Sequence, residues 1–339
     1  MIFMNRRADA ATASRYHPSV MPAPYPDAPL LRGHALPVGG GHVLQVQEFG
    51  RADGIAAVLL HGGPGSGSSP LLRRFFDPAR YRVICIDQRG AGASRPRGSV
   101  LHNRTADLLD DLRRVREQLG LARWLVVGGS WGATLALAHA AAEPAAVAGL
   151  LLRASFLARR EDTEWFFQGA ARECPQAWQN LASMAPPAQR AGLLHWLAQQ
   201  LEGGAAPAAA LAWWRWEQAL AGVTPASAEP DGASLAALVD RYRIQAHYLS
   251  HDCWLSVPTL LERCTAVPPV PTLLLHARDD RVCRAEGARA LHARLPHSRL
   301  QWLDGAGHDP AHPAMAATMA AALDCYAARG NFDGLGESR

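Results

Sequence analysis

Gly128-Gly129-Ser130-Trp131-Gly132 separates an apolar run, Trp124-Leu125-Val126-Val127, from a second apolar stretch, Ala133-Thr134-Leu135-Ala136-Leu137-Ala138-His139-Ala140. The order reads as strand, sharp turn, helix, with a serine at the apex. In a G-x-S-x-G turn the glycines leave room where a side chain would clash, and the serine is pushed out toward a substrate. The five residues alone are a weak signal. Their surroundings strengthen it: a glycine-rich loop, His61-Gly62-Gly63-Pro64-Gly65, lies upstream, and an aspartate and then a histidine follow downstream.

Working outward, residues 43–49 read as a strand, with Leu44-Gln45-Val46-Gln47 alternating apolar and polar side chains. Residues 55–60 form a continuous apolar run that leads into the His61 loop. Residues 81–87 form another, ending in Asp87-Gln88-Arg89-Gly90. Leu108, Leu109, Leu112, Val115 and Leu119 fall near helical spacing, predicting a helix over 105–119. A helix to about 142 and a strand at 147–153 follow the serine turn. Apolar strands alternating with amphipathic helices predict a mostly parallel sheet covered on both faces.

This rhythm stops after about Phe156. Residues 159–264 read as helical and tryptophan-rich, broken at Pro186-Pro187, Gly203-Gly204 and Pro230-Asp231-Gly232. It returns with a strand at 271–276, a helix at 285–295, a strand at 300–303 and a helix at 313–328. The expected organisation is an α/β core over 30–157 and 265–339, an inserted helical cap over 158–264, and a flexible leader over 1–29.

Of the 339 residues, 49% are apolar, enough for a sizeable core. The formal net charge is +4, and every basic residue other than histidine is arginine, because the chain contains no lysine. Lysine Schiff-base chemistry, pyridoxal phosphate attachment and a Walker A loop are thereby excluded. The arginines come singly or in pairs with acidic neighbours, which reads as a mixed solvated surface and predicts no nucleic-acid partner. No apolar run is long enough to span a bilayer, and the N-terminus lacks a signal-peptide h-region, so a cytoplasmic location and no membrane partner are expected. The six cysteines form no CxxC pair and no metal spacing; reduced thiols and no metal are expected, with Cys85 read as a buried small hydrophobe.

A serine hydroxyl is a poor nucleophile at neutral pH. It needs a base, and the base needs a carboxylate to fix its tautomer. Ser130 is followed by Asp279-Asp280 after one returning strand and by Asp304-Gly305-Ala306-Gly307-His308 after the next. The order Ser, acid, His is that of an α/β-hydrolase scaffold, and each group falls at the carboxyl end of a strand. Ser130, Asp280 and His308 are the expected catalytic residues, with Asp279 assigned to a turn or to solvent. His276 and His297 are the competing bases. The oxyanion hole needs two backbone N–H groups; Trp131, following the nucleophile, and Gly63, in the upstream loop, are the candidates.

These residues resemble the proline iminopeptidase (prolyl aminopeptidase) family of the α/β-hydrolase superfamily, from about residue 37 to 325. His61-Gly62-Gly63-Pro64-Gly65 resembles its HGGPG loop, and Asp87-Gln88-Arg89-Gly90-Ala91-Gly92-Ala93-Ser94 its DQRGxGxS segment. Gly128-Gly129-Ser130-Trp131-Gly132 with Thr134-Leu135 resembles its GGSWGxTL elbow. Asp280-Arg281-Val282-Cys283 resembles its DxVC acid loop, and Ala306-Gly307-His308 its AGH base loop. The resemblance implies release of an N-terminal proline from a peptide through an acyl-enzyme, without metal or other cofactor. It further implies cap carboxylates that hold the substrate's free amine. Glu217, in Trp213-Trp214-Arg215-Trp216-Glu217, matches the first; the second falls in a segment reading RIExHY, where this chain has Arg243-Ile244-Gln245-Ala246-His247-Tyr248. Gln245 thus replaces a carboxylate with an amide, which offers a dipole where a charge would attract an ammonium. Phe156 and Phe166 match positions near the family's proline pocket; the alternative is that they are ordinary core aromatics.

Two catalytic readings follow: a serine exopeptidase for N-terminal proline, and an esterase or amidase of the same fold acting on a different small acyl substrate, which Gln245 favours. A non-catalytic ligand-binding protein is opposed by the intact Ser130, Asp280, His308 set. An epoxide hydrolase or dehalogenase is opposed by serine, not aspartate, at the elbow. Oligomeric state is not legible in the sequence.

Overall fold

Apolar runs of about six residues are too short for helices and too continuous for a sheet with one wet face. In the computed structural model, which describes residues 25–223 and 230–335, they form the centre of an eight-stranded sheet. The strands are β1 (Leu30–Gly39), β2 (His42–Gly50), β3 (Ile55–Leu60), β4 (Tyr81–Ile86), β5 (Trp124–Gly129), β6 (Val147–Arg153), β7 (Thr272–Ala277) and β8 (Ser298–Leu303). Their order across the sheet is β1-β2-β4-β3-β5-β6-β7-β8. β2 pairs antiparallel with β1 and β4; all other neighbours are parallel.

The helices are α1 (Pro70–Arg73), α2 (Thr105–Gln118), α3 (Trp131–Ala142), α4 (Arg160–Phe167), α5 (Pro175–Ala182), α6 (Leu193–Gln200), α7 (Ala206–Ala221), α8 (Gly232–Ser250), α9 (Leu260–Arg263), α10 (Ala285–Arg294) and α11 (Pro313–Arg329). Alternate residues of each central strand enter different cores. Val58, Leu60, Val126, Leu150 and Leu152 pack with Leu108, Leu112 and Val115 of α2 and with α3. Ala57, Leu59, Leu125, Val127 and Leu151 pack with Met315, Met319 and Leu323 of α11. Both faces are dry, so the central strand positions are mostly apolar; each large side chain buried this way contributes roughly 1.5–3 kcal/mol.

Between β6 and β7 the regular elements among the described residues are all helical, from α4 to α9. Its tryptophans build an aromatic core: Trp213 stacks on Tyr242 with ring centroids 5.0 Å apart and meets Phe167 edge-on. That contact joins α4, α7 and α8 into one roof.

Two features depart from expectation. β1 has no clear signal in the sequence, being an edge strand that is mostly exposed and carries Gly33 and Pro37. The end of the expected leader is tied down: the Tyr25 hydroxyl donates to Asp324 at 2.8 Å, and Arg73 holds Asp27 with paired hydrogen bonds. Residues 1–24 of that segment lie outside the described residues.

Strand register brings the motifs together. Leu60 is opposite Ile86 on one side and Gly128 on the other, so the His61 loop, the Asp87 segment and the serine turn emerge side by side. Gly129 is opposite Arg153, and Ala277 opposite Leu303, which sets the acid and base loops next in line.

Candidate active site

Ser130 sits at φ 57, ψ −123, a left-handed conformation that costs a non-glycine residue of order 1–3 kcal/mol. The strain is imposed by the strand above and the helix below. A Cβ on Gly132 would lie 2.2 Å from the Leu60 carbonyl oxygen, so the turn can close only over glycine. Trp131 opens α3, and the N–H groups of a helix's first turn lack intrahelical acceptors. The Trp131 N–H is therefore free to meet a developing oxyanion.

The upstream loop is braced by the Asp87-Gln88 segment. The Gln88 N–H donates to His61 Nε2 at 3.0 Å, and Gln88 Nε2 donates to the His61 carbonyl at 3.0 Å. His61 Nε2 is thus an acceptor, which leaves Nδ1 to donate to the Gly62 carbonyl at 2.9 Å. Burial pushes the His61 imidazole below its ordinary range, so the ring stays neutral. Trp131 Nε1 donates to Gln88 Oε1 at 2.9 Å, coupling this loop to the serine turn. Gly63 adopts φ +112, and a Cβ there would lie 2.7 Å from the Gly65 nitrogen.

The structure brings Asp280 and His308 together, with His308 Nδ1 2.8 Å from Asp280 Oδ2. Asp280 Oδ1 accepts from the N–H groups of Val282 at 2.9 Å and Cys283 at 2.8 Å. Burial pushes the Asp280 carboxyl up, but the charge and hydrogen bond of His308, with His276 and the Cys283 N–H, hold it below the usual carboxylate range. An ionised Asp280 fixes the proton on His308 Nδ1 and leaves Nε2 as the acceptor for a serine proton. Asp279 is exposed, and among the described residues its side chain makes only a 3.4 Å contact with the Gly307 N–H. His276 is buried and bonds the Cys283 carbonyl at 2.8 Å, bracing the acid loop. His297 precedes β8 and so sits at the amino ends of the parallel strands, whereas Ser130 follows the carboxyl end of β5.

Gly63, Ser130, Phe156, Phe166, Glu217, Gln245 and His308 all line one cavity of about 280 Å³. Phe166 also packs edge-on against Phe167 and Trp216, so it serves the cap core and the cavity together. Thr134 Oγ1 donates to the Phe156 carbonyl at 2.6 Å, tying that wall to α3.

Three lining residues were given no such part by the sequence. Arg153, at the end of β6, donates from Nη1 to the His308 carbonyl at 2.9 Å. Cys283 lines the same cavity as Ser130; burial, then the Asp280 charge, push its thiol well above its ordinary value. Arg241 forms an ion pair with Glu217, whose other oxygen accepts from the Tyr242 hydroxyl at 3.0 Å. The one available signal for Arg241 was its position, four residues before Gln245 on the same helix face.

The sheet order, strained serine and buried Asp–His pair define an α/β hydrolase. The α/β hydrolase fold family model matches residues 57–312. Solved structures share the fold: VinJ superimposes with a TM-score of 0.62 at 21% identity, covering 88% of this chain and 99% of VinJ. The proline iminopeptidase of Mycobacterium smegmatis superimposes with a TM-score of 0.58 at 19% identity, covering 88% of this chain and all of that one. Within this class, the chain belongs to the proline iminopeptidase family. It is 37% identical to the proline iminopeptidase of Xanthomonas citri over 309 residues, covering 89% of this chain and 99% of the relative. It is also 37% identical to that of Arabidopsis thaliana over 298 residues, covering 85% of this chain and 77% of the relative.

Proposed function

We propose that this chain is a serine exopeptidase that releases an N-terminal proline from peptides through an acyl-enzyme intermediate. The observation that carries the reading is the 2.8 Å bond between His308 Nδ1 and a buried Asp280, beside the cavity that Ser130 and His308 line together. Ser130 Oγ attacks the scissile carbonyl while His308 Nε2 takes its proton. The Gly63 and Trp131 N–H groups receive the oxyanion. His308 then protonates the departing amine, and a water activated by the same base hydrolyses the ester. The helical insertion, residues 158–264, acts as the cap over the core halves 30–157 and 265–339, with Glu217 and Gln245 facing the terminal nitrogen and Phe156 and Phe166 the ring.

The second reading is an esterase or amidase of the same fold, favoured by the amide of Gln245 where a carboxylate is expected. Among the described residues no helix is long and apolar enough to cross a membrane, and the six unpaired cysteines suit a reducing cytoplasm. The test is a substrate panel on purified protein: prolyl, alanyl and leucyl arylamides beside a short acyl ester. Prolyl arylamide as the best substrate upholds the first reading; turnover of the ester alone replaces it with the second.

A further inference from the structure

Each carboxylate that lines the acyl site is paired with an arginine. Glu217 is paired with Arg241. Asp162, on the cavity wall, is held by Arg159 through hydrogen bonds of 2.6 and 3.0 Å, and the exposed Glu161 shares the same guanidinium outside the cavity. At the floor, Asp280 and Arg153 supply one charge of each sign. The other titratable groups facing this space add no negative charge: burial keeps His61 neutral, and burial keeps the Cys283 thiol and Tyr242 phenol protonated. His308 acts alike on every substrate. A site for an ammonium needs a surplus carboxylate, because an ion leaving water for a neutral cavity loses its hydration without recompense.

Two polar atoms beside the cavity remain unspent. Gln245, only 7% exposed, has no hydrogen-bond partner for Oε1, and Arg241 has none for Nε. An uncharged ring nitrogen, in a free-base prolyl group or in a lactam, has a single N–H to give, which one amide oxygen satisfies. A lactam also brings a carbonyl that a guanidinium N–H can meet.

We propose that Arg241 is a specificity-determining residue: by occupying Glu217 it makes the acyl site select a terminal nitrogen that carries no charge. A prolyl group enters as its free base, and uncharged ring acyl groups are taken by the same site. This rests on the reading of the chain as a hydrolase that releases ring acyl groups such as proline.

The experiment compares kcat/KM between about pH 6 and 10 for the p-nitroanilides of proline, 5-oxoproline and cyclopentanecarboxylic acid, whose ring has CH2 in place of N–H. In the wild-type protein the prolyl-to-cyclopentyl ratio rises with pH through the substrate amine's own titration, near pH 8 for an α-amino group. Arg241→Met, which frees Glu217, raises that ratio at pH 6.5 by about tenfold or more and removes its rise with pH. If Arg241→Met does not fold, Arg241→Gln, which keeps an N–H for Glu217 without the charge, carries the same expectation. A wild-type ratio that falls with pH, or Arg241 variants that leave the ratio and its pH dependence unchanged, overturn the inference while proline release stands. Absence of turnover of all three anilides by the wild-type protein overturns the functional reading itself.

Discussion

Replacing Asp280 with asparagine changes one atom and reverses a hydrogen bond. Asp280 accepts three: two at Oδ1 from the Val282 and Cys283 N–H groups, and one at Oδ2 from His308 Nδ1 at 2.8 Å. An asparagine keeps its oxygen toward the two backbone donors, which accept no substitute, and so turns its NH2 toward His308. Two donors cannot face each other, and the imidazole moves its proton to Nε2. That nitrogen then cannot take the Ser130 proton. The expected loss is about ten-thousand-fold in kcat/KM, or on the order of 5–6 kcal/mol of transition-state stabilisation. Losing a charge-assisted bond costs stability as well, on the order of 1–3 kcal/mol. Asp279→Asn is the control: its side chain is exposed and its one contact among the described residues is 3.4 Å long, so a change of about twofold is expected. The assay is kcat/KM on one arylamide, with melting temperatures to verify folding. Asp280→Asn activity within tenfold of wild type, or the reverse ranking of the two variants, refutes the assignment.

Glu217→Gln leaves Arg241 and the buried Tyr242 without their carboxylate; because the Arg241–Glu217 pair itself is partly exposed, a loss of about 2 kcal/mol is expected in denaturant titration, with a higher KM for prolyl arylamide. An unchanged denaturation midpoint would mean the ion pair contributes nothing. Cys283→Ser should stay active and become resistant to bulky thiol reagents, which act on the parent slowly because its thiol is buried and protonated, and inhibit by crowding the acid loop. A folded but dead Cys283→Ser gives that sulfur a direct role. His139, buried in α3, has its pKa lowered by burial and by Arg116 to about 4. The native ring binds fewer protons than the unfolded one between about pH 4 and 6.5, so its contribution is fully present above pH 6.5 and is lost as pH falls toward 4. The span corresponds to about 3 kcal/mol. His139→Gln should flatten this acid limb of the stability curve; an unchanged slope counts against the burial argument.

The central strands were legible because burial on both faces forces apolar residues at most positions, and the turns because Gly132 and Gly63 stand where no other side chain fits. β1 escaped because an exposed edge strand has no dry face to impose a pattern. The order Ser130, Asp280, His308 was legible from topology, since each residue follows the carboxyl end of a strand. The Arg241–Glu217 pair was not: its partners are on different helices, and the packing of α8 on α7 brings them together. The Arg153 contact with His308 is equally remote in sequence, and no local periodicity encodes it.

The central claim is that Ser130 is the nucleophile of a hydrolase that releases proline. It is tested most directly by the steady-state turnover of prolyl arylamide by Ser130→Ala, beside circular dichroism of the same sample. The account predicts a native spectrum and a kcat lower by at least about a thousandfold, the residue being what the oxyanion donors supply alone. A folded Ser130→Ala protein that turns over prolyl arylamide at near wild-type rate contradicts it.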